Sequence, residues 1–156
     1  NKRLDFLPGF LSGFGIEVNY TYIDSKVKVP RLIGTGADAH TVEDESTLPD
    51  QSRNMANAIL FYEKGRFMVR LAGNYRGKSV YSINQQLGPD YYTWVAKNFT
   101  LDASATVDIV KGVKAFVELN NLTDEPLRQY MGDKRRLTNS EWYGRRGQIG
   151  LRWDIF

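Results

Sequence analysis

The chain holds a single histidine, His40, and no cysteine. Thiol nucleophiles, disulfide frameworks and zinc–thiolate sites are excluded, as is any mechanism that needs two histidines. His40 stands in an acidic, glycine-flanked stretch with Asp38, Glu43 and Asp44, which are metal-ligand types. The spaced D-x-D-x-D-G pattern of a calcium loop is missing. The stretch reads as a solvated loop, and no metal and no cofactor is expected. Gly73-Asn74-Tyr75-Arg76-Gly77-Lys78-Ser79 has the look of a phosphate loop, but it is one residue short between the glycines and no helix follows. No serine, histidine and acid combine into a nucleophilic set, so no enzymatic activity is expected. The sequons at Asn19, Asn98 and Asn121 lie in strands or at strand ends, where threonine is ordinary.

Residues suited to binding are more evident. Between residues 77 and 95, Tyr81, Tyr91, Tyr92 and Trp94 offer flat apolar faces, and Asn84, Gln85 and Gln86 offer hydrogen bonds. Aromatics beside amides suit a sugar or a catechol-type chelate. Tyr92 and Trp94 fit equally well in an aromatic girdle at a membrane interface. The basic run Lys134-Arg135-Arg136 is a candidate for an anionic ligand, or for lipopolysaccharide phosphates, through charge-assisted hydrogen bonds. A solvated basic run is the simpler reading. The formal net charge of +3 is neither large nor clustered enough to point to nucleic acid.

The elements that position these residues are strands. The chain has no run of about 18 apolar residues, which excludes a transmembrane helix, and no signal peptide opens it. Pro8, Gly9 and Gly13 mark a turn over residues 7–13. Period-two alternation then predicts six strands, over residues 14–27, 53–63, 67–76, 96–110, 113–122 and 142–156. In the first, Ile16, Val18, Tyr20 and Tyr22 share a face. In the third, Phe67, Val69, Leu71, Gly73 and Tyr75 oppose Met68, Arg70, Ala72, Asn74 and Arg76. In the fourth, Leu101, Ala103, Ala105, Val107 and Ile109 oppose Asp102, Ser104, Thr106 and Asp108. The second strand is apolar on both sides near its end, and its outward face is open. Tight turns at 63–66 and 111–112 alternate with long connections at 28–52, 77–95 and 123–141, which read as irregular. An up-and-down sheet therefore carries all its long loops at one end, as outer-membrane barrels do. The strands also meet the roughly 9–11 residues that a tilted membrane crossing needs. A soluble sandwich or lipocalin-like barrel explains the alternation. It does not explain the loop asymmetry, nor the charges Arg70, Asp102, Asp108, Glu118 and Arg152 on the second face.

Six strands do not close a wide barrel, and open edges are not tolerated in lipid. Leu7-Pro8-Gly9 with Gly13-Phe14-Gly15, Asn19-Tyr20-Thr21-Tyr22, and Leu48-Pro49-Asp50-Gln51-Ser52-Arg53 leading to Ala56-Asn57 resemble the late barrel of TonB-dependent outer-membrane receptors. So do Phe61-Tyr62-Glu63-Lys64-Gly65, Arg70 to Arg76, Glu118-Leu119-Asn120-Asn121-Leu122-Thr123-Asp124-Glu125-Pro126, and Tyr143-Gly144-Arg145 with the strand after it. The resemblance covers essentially the whole chain, in order. Gln148, Gly150, Trp153, Ile155 and Phe156 resemble the C-terminal signal by which outer-membrane barrels are recognised for insertion, with Phe156 one residue beyond the usual end.

The resemblance implies an all-β, antiparallel up-and-down transmembrane barrel segment, about the last quarter of a roughly 22-stranded barrel. It implies bacterial outer-membrane localisation and uptake of a siderophore, cobalamin or oligosaccharide bound at extracellular loops. The implied partners are outer-membrane lipid, the plug and N-terminal barrel of the same receptor, the TonB complex reached through that part, and the barrel assembly machinery. A structural or adhesive barrel, and a soluble carrier of an apolar ligand, are the competing expectations.

Overall fold

Alternation alone sets the main element. In the computed structural model, which describes residues 2–4, 6 and 8–154, the alternating stretches form one antiparallel seven-stranded sheet. Its strands are β1 (Lys2–Arg3), β2 (Phe14–Tyr22), β5 (Asn54–Lys64), β6 (Phe67–Arg76), β9 (Asn98–Val110), β10 (Val113–Asn120) and β13 (Arg146–Trp153), adjacent in that order. Sequential neighbours pair throughout, so the sheet is up-and-down, and β1 and β13 are its edges. The sheet is not closed into a barrel. Among the described residues no helix is long and apolar enough to cross a membrane.

All six expected strands are present; four are trimmed, the second is shifted by one residue and the third has the expected bounds. β2 stops at Tyr22 rather than continuing to residue 27, because Asp24, Ser25 and Lys26 break the alternation. The last strand begins at Arg146, four residues later than expected, and Trp142 lies outside the sheet. Residues 2–3 add a short edge strand against Gly15 and Ile16, and the Pro–Gly turn closes as a 3-10 segment, Gly9–Gly13. Ile155 and Phe156 of the expected insertion signal lie outside the described residues.

Register fixes the faces. Cross-strand partners run Ile16–Leu60–Leu71–Ala103–Leu119 and Val18–Ala58–Gly73–Leu101 across one face. The outward face of β5, open from sequence, is therefore Ala56, Ala58, Leu60 and Tyr62. From β2 to β13 this face carries no charged residue between the strand ends. It is also uncovered: Ile149 is 84% and Trp153 73% exposed. Aromatic rows bound it. Tyr20, Tyr75 and Phe99 align across the loop end, with Ala56 between the two tyrosines. Phe14, Tyr62, Phe67 and Trp153 stand toward the turn end, where the Phe14 and Tyr62 rings meet edge-on at 4.9 Å.

The opposite face is polar. Arg70, Asp102, Asp108, Glu118 and Arg152 all lie on it, as the alternation predicts. Asp102 accepts hydrogen bonds from Asn74 Nδ2 (3.3 Å) and the Asn121 backbone N–H (2.8 Å). Lys114 lies 3.4 Å from Asp108, and Gln148 donates to Glu118 at 2.5 Å. Two large aromatics, Phe61 and Phe116, interrupt this polarity. Each ring lies over a cross-strand glycine, Phe61 on Gly15 and Phe116 on Gly150. A Cβ at Gly150 would sit 2.8 Å from Phe116 Cζ. Gly150 is thus accounted for by sheet packing, whatever part it has in insertion.

The long connections are not irregular. The first holds an antiparallel hairpin, β3 (Val27–Ile33) and β4 (His40–Ser46). Its acids and Pro30 lower strand propensity and hide the pattern. Pro30 is accommodated because β3 pairs on one side only. The second and third connections together build a four-stranded sheet in the order β12 (Leu137–Glu141), β11 (Leu127–Met131), β8 (Thr93–Val95) and β7 (Ser79–Ser82). The buried apolar side chains Val29, Val80, Tyr92 and Tyr130 all belong to these loop-end structures, not to the main sheet.

Candidate functional site

The loop end is where the chain packs, and its geometry follows from a few anchors. The Asp50 N–H donates to Val80 carbonyl at 2.7 Å, tying the first connection to β7. Ser52, almost fully buried, donates to Gly77 carbonyl at 2.8 Å and accepts from Arg76 Nε at 3.1 Å. Arg76 also donates to Asp50 carbonyl at 2.8 Å. In the hairpin, Arg31 grips Asp44 with two hydrogen bonds, 2.7 and 3.3 Å. This bond holds the Asp44 carboxyl below its ordinary range and raises Arg31. Arg31 also packs on Gly88, whose φ of +83° and missing Cβ admit the guanidinium. Lys28 pairs with Glu43 at 2.7 Å. His40 is exposed, with Nδ1 3.0 Å from Asp38 carbonyl oxygen, while Asp44 and Glu43 of its expected neighbourhood are engaged by Arg31 and Lys28.

The expected ligand residues do not converge. Tyr81 is exposed on β7, and Gln85 and Gln86 sit in the exposed turn after it. Asn84 uses its side-chain oxygen to accept the N–H groups of Gln86 and Leu87. Tyr91 lies under the Arg136 guanidinium, 5.6 Å from its ring centre. Tyr92 is a correction: at 2% exposure it is packing, not a ligand face. Burial pushes its hydroxyl pKa up, and its Oη has no hydrogen-bond partner. Neither Tyr92 nor Trp94 joins the aromatic rows of the main sheet, because both belong to the loop-built sheet or the turn before it.

The basic run is also divided. The Arg135 backbone N–H and Nε donate to Asp133 carboxylate at 2.9 and 3.0 Å, and this holds the Asp133 pKa down. Arg136 donates to Met131 carbonyl at 2.9 Å and to Asp90 carbonyl, so it fastens the β11–β12 turn to the turn before β8. Of the three, Lys134 lines the cavity at the loop end.

That cavity, about 650 Å³, lies between the loop end of the main sheet and the loop-built sheet. Trp94 and Lys134, from two separate expected sites, both line it. Lys78 stands 4.5 Å over the Trp94 ring, and Arg128 lies beside Glu125 and over Trp142.

Comparison of the chain with family models, with curated proteins and with solved structures finds no match.

The site therefore rests on geometry. Sequence reasoning missed Gln51, Arg53, Lys78, Lys97 and Arg128, which line the same cavity. A signal for three of them was present. Arg53, Lys78 and Lys97 each lie within two residues of a main-strand terminus, and the up-and-down order brings those termini to one end.

Proposed function

We propose that this chain forms part of the wall of a wide outer-membrane β-barrel, in a TonB-dependent receptor for a scarce nutrient. The carrying observation is the uncovered face of the main sheet, which from β2 to β13 carries no charged residue between its aromatic rows. Six strands at about 4.8 Å spacing give a width of roughly 25–30 Å. From Phe67 to Tyr75 the eight residue steps span about 27 Å along the strand, or about 20 Å of height at a tilt of ~40°. The projected patch is on the order of 500–600 Å², at the top of the range for the largest apolar patch on a soluble monomer. Its height approaches the ~25 Å apolar band of a membrane barrel. A soluble carrier would bury this row over a ligand, whereas here its residues stand exposed, Leu71 at 39% and Ile149 at 84%. The open edges β1 and β13 have unpaired backbone groups, and lipid demands partners for them, which further strands of a larger barrel would supply. Loops at one end then face outside the cell and bind the nutrient, and the polar face lines the lumen.

The whole receptor that would contain these strands, folded in detergent and run on gels with and without heating, tests this. Heat-modifiable migration, with insertion into lipid vesicles that protects the main strands from protease, is the expected result. A protein that stays folded and monodisperse without detergent would remove the membrane reading.

A further inference from the structure

The turn end of the sheet collects positive charge that its own acids do not balance. The turns at 63–66 and 111–112 lie side by side, because β6, which leaves the first, pairs with β9, which enters the second. A cross-strand row joins Asp108, Lys114 and Arg152 on the polar face. The Asp108 N–H donates to Arg66 carbonyl at 2.9 Å, which extends the row to Arg66. Lys114 thus stands directly opposite Arg152, and like charges so placed repel. Asp108, 3.4 Å from Lys114, is the one acid in this row. Lys64 is engaged by Gly9 carbonyl and Ser12 Oγ. The Arg66 and Lys111 side chains have no hydrogen-bond or ion-pair partner among the described residues. Between the two turns opens a cavity of about 360 Å³, lined by Arg66, Asp108, Val110, Lys111, Gly112 and Lys114. It straddles the rim of the sheet. Asp108 and Lys114 belong to the polar face, whereas Val110 pairs with Val113, and Val113 with Trp153, on the apolar face. Phe67, Val110 and Trp153 are exposed there.

We propose that this turn-end cavity seats the phosphate of an anionic glycerophospholipid among Arg66, Lys111 and Lys114, with the acyl chains running down over Val110, Phe67 and Trp153. Charge complementarity selects the occupant. Three cations against the Asp108 carboxylate leave an excess of two. A zwitterionic lipid brings a cation of its own, which this excess repels. Basic side chains just beyond an aromatic row are the arrangement that meets anionic headgroups at a membrane surface. A free phosphate would use the cations and leave the apolar side of the rim bare. An acidic protein segment laid along the polar face would likewise leave Val110 and Trp153 uncovered. The proposal deepens the membrane reading and rests on it for placing this end of the sheet in a headgroup layer.

The whole receptor that would contain these strands, reconstituted in vesicles doped with a photoactivatable phosphatidylglycerol, tests the site. Adducts are mapped by mass spectrometry to the peptides that carry Phe67, Val110 and Trp153, and photoactivatable phosphatidylcholine serves as the comparison lipid. Half-maximal labelling should need about 25-fold less phosphatidylglycerol than phosphatidylcholine, about fivefold for each cation in excess. Arg66→Gln together with Lys111→Gln should abolish that preference. Asp108→Asn should sharpen it about fivefold, a gain that a merely structural role of Asp108 would not give. Lys78→Gln with Lys134→Gln, at the loop end, should leave labelling of these peptides unchanged. Equal labelling by the two lipids, a preference that survives the Arg66 and Lys111 substitutions, or displacement of the label by glycerol 3-phosphate (a soluble source of the same phosphate) would each overturn the proposal. Heat-modifiable migration read on the same samples separates the two readings. A heat-modifiable receptor that labels both lipids alike sinks the lipid site alone, whereas a protein that stays folded and monodisperse without detergent removes the membrane reading itself.

Discussion

Leu71 is the sharpest place to challenge the membrane reading. It stands on β6 midway between Phe67 and Tyr75, four residues from each. Leu60 and Ala103 flank it across the strands, and from β2 to β13 no charged residue shares its row. If the apolar face meets lipid, Leu71 lies at the bilayer midplane. Leu71→Arg should then destabilise the folded state by about 2–4 kcal/mol. Phe67→Arg, on the same face at the turn-end boundary, should cost only about 0–1 kcal/mol for the charge itself. The depth dependence carries the information, because a buried soluble core would punish both substitutions and an exposed soluble face would tolerate both within about 0.5 kcal/mol. Reversible urea unfolding from lipid vesicles, followed by tryptophan emission, measures the difference. Equal costs at Leu71 and Phe67 would refute the placement of this face in lipid.

Other perturbations probe the packing. Gly150→Ala should destabilise by about 1–3 kcal/mol, because its Cβ meets the Phe116 ring; Phe116→Ala in the same chain should return part of the loss in the same unfolding assay. Asp44 has a lowered carboxyl pKa through Arg31, so its contribution is complete above the ordinary carboxylate range and disappears as pH falls through the lower folded value. Hydrogen exchange in β3 and β4 should accordingly quicken below about pH 4, whereas Asp44→Asn should show quick exchange at neutral pH and no such acid step. Tyr92→Phe removes a buried hydroxyl without a partner and should leave stability unchanged or raise it by up to about 1–3 kcal/mol, seen as an equal or higher melting temperature.

The main sheet was legible because its strands are long enough to repeat the alternation four or five times. One residue of slip would turn every side chain to the wrong face, so Ile16 to Tyr22 and Phe67 to Tyr75 declare themselves. β5 did not, because Ile59 and Phe61 are apolar on the polar side. Its face becomes evident only when Phe61 is seen lying over Gly15 across the strand, a relation between residues far apart in sequence. The loop-end strands were hidden for a different reason. β8 has three residues and β7 four, too few for a period to show. β4, His40–Ser46, is acidic at Glu43, Asp44 and Glu45, and its strand character comes from pairing with Lys28 and Arg31. The cavity was the least legible feature. Arg53, Lys78, Lys97, Arg128 and Lys134 are single cations scattered along the chain, and no local pattern links them.

The distribution of burial ties these parts together. A sheet of this size ordinarily buries one face in a core of its own. Among the described residues the buried apolar side chains, Val29, Val80, Tyr92 and Tyr130, sit at the loop end, and the main sheet offers a bare apolar row on one side and hydrogen-bonded polar residues on the other. On the proposed membrane reading, lipid covers the apolar row, and on the other side the Asn74–Asp102, Lys114–Asp108 and Gln148–Glu118 contacts suit a wet interior. The loop end then needs its own core, because neither lipid nor the sheet holds it in place. That core positions Trp94 and Lys134 on one cavity although they lie on different connections. A loosened core, as a hairpin released by Asp44→Asn would test, should therefore quicken hydrogen exchange in β8 as well as in β3 and β4, because Arg31 packs on Gly88 in the turn before β8.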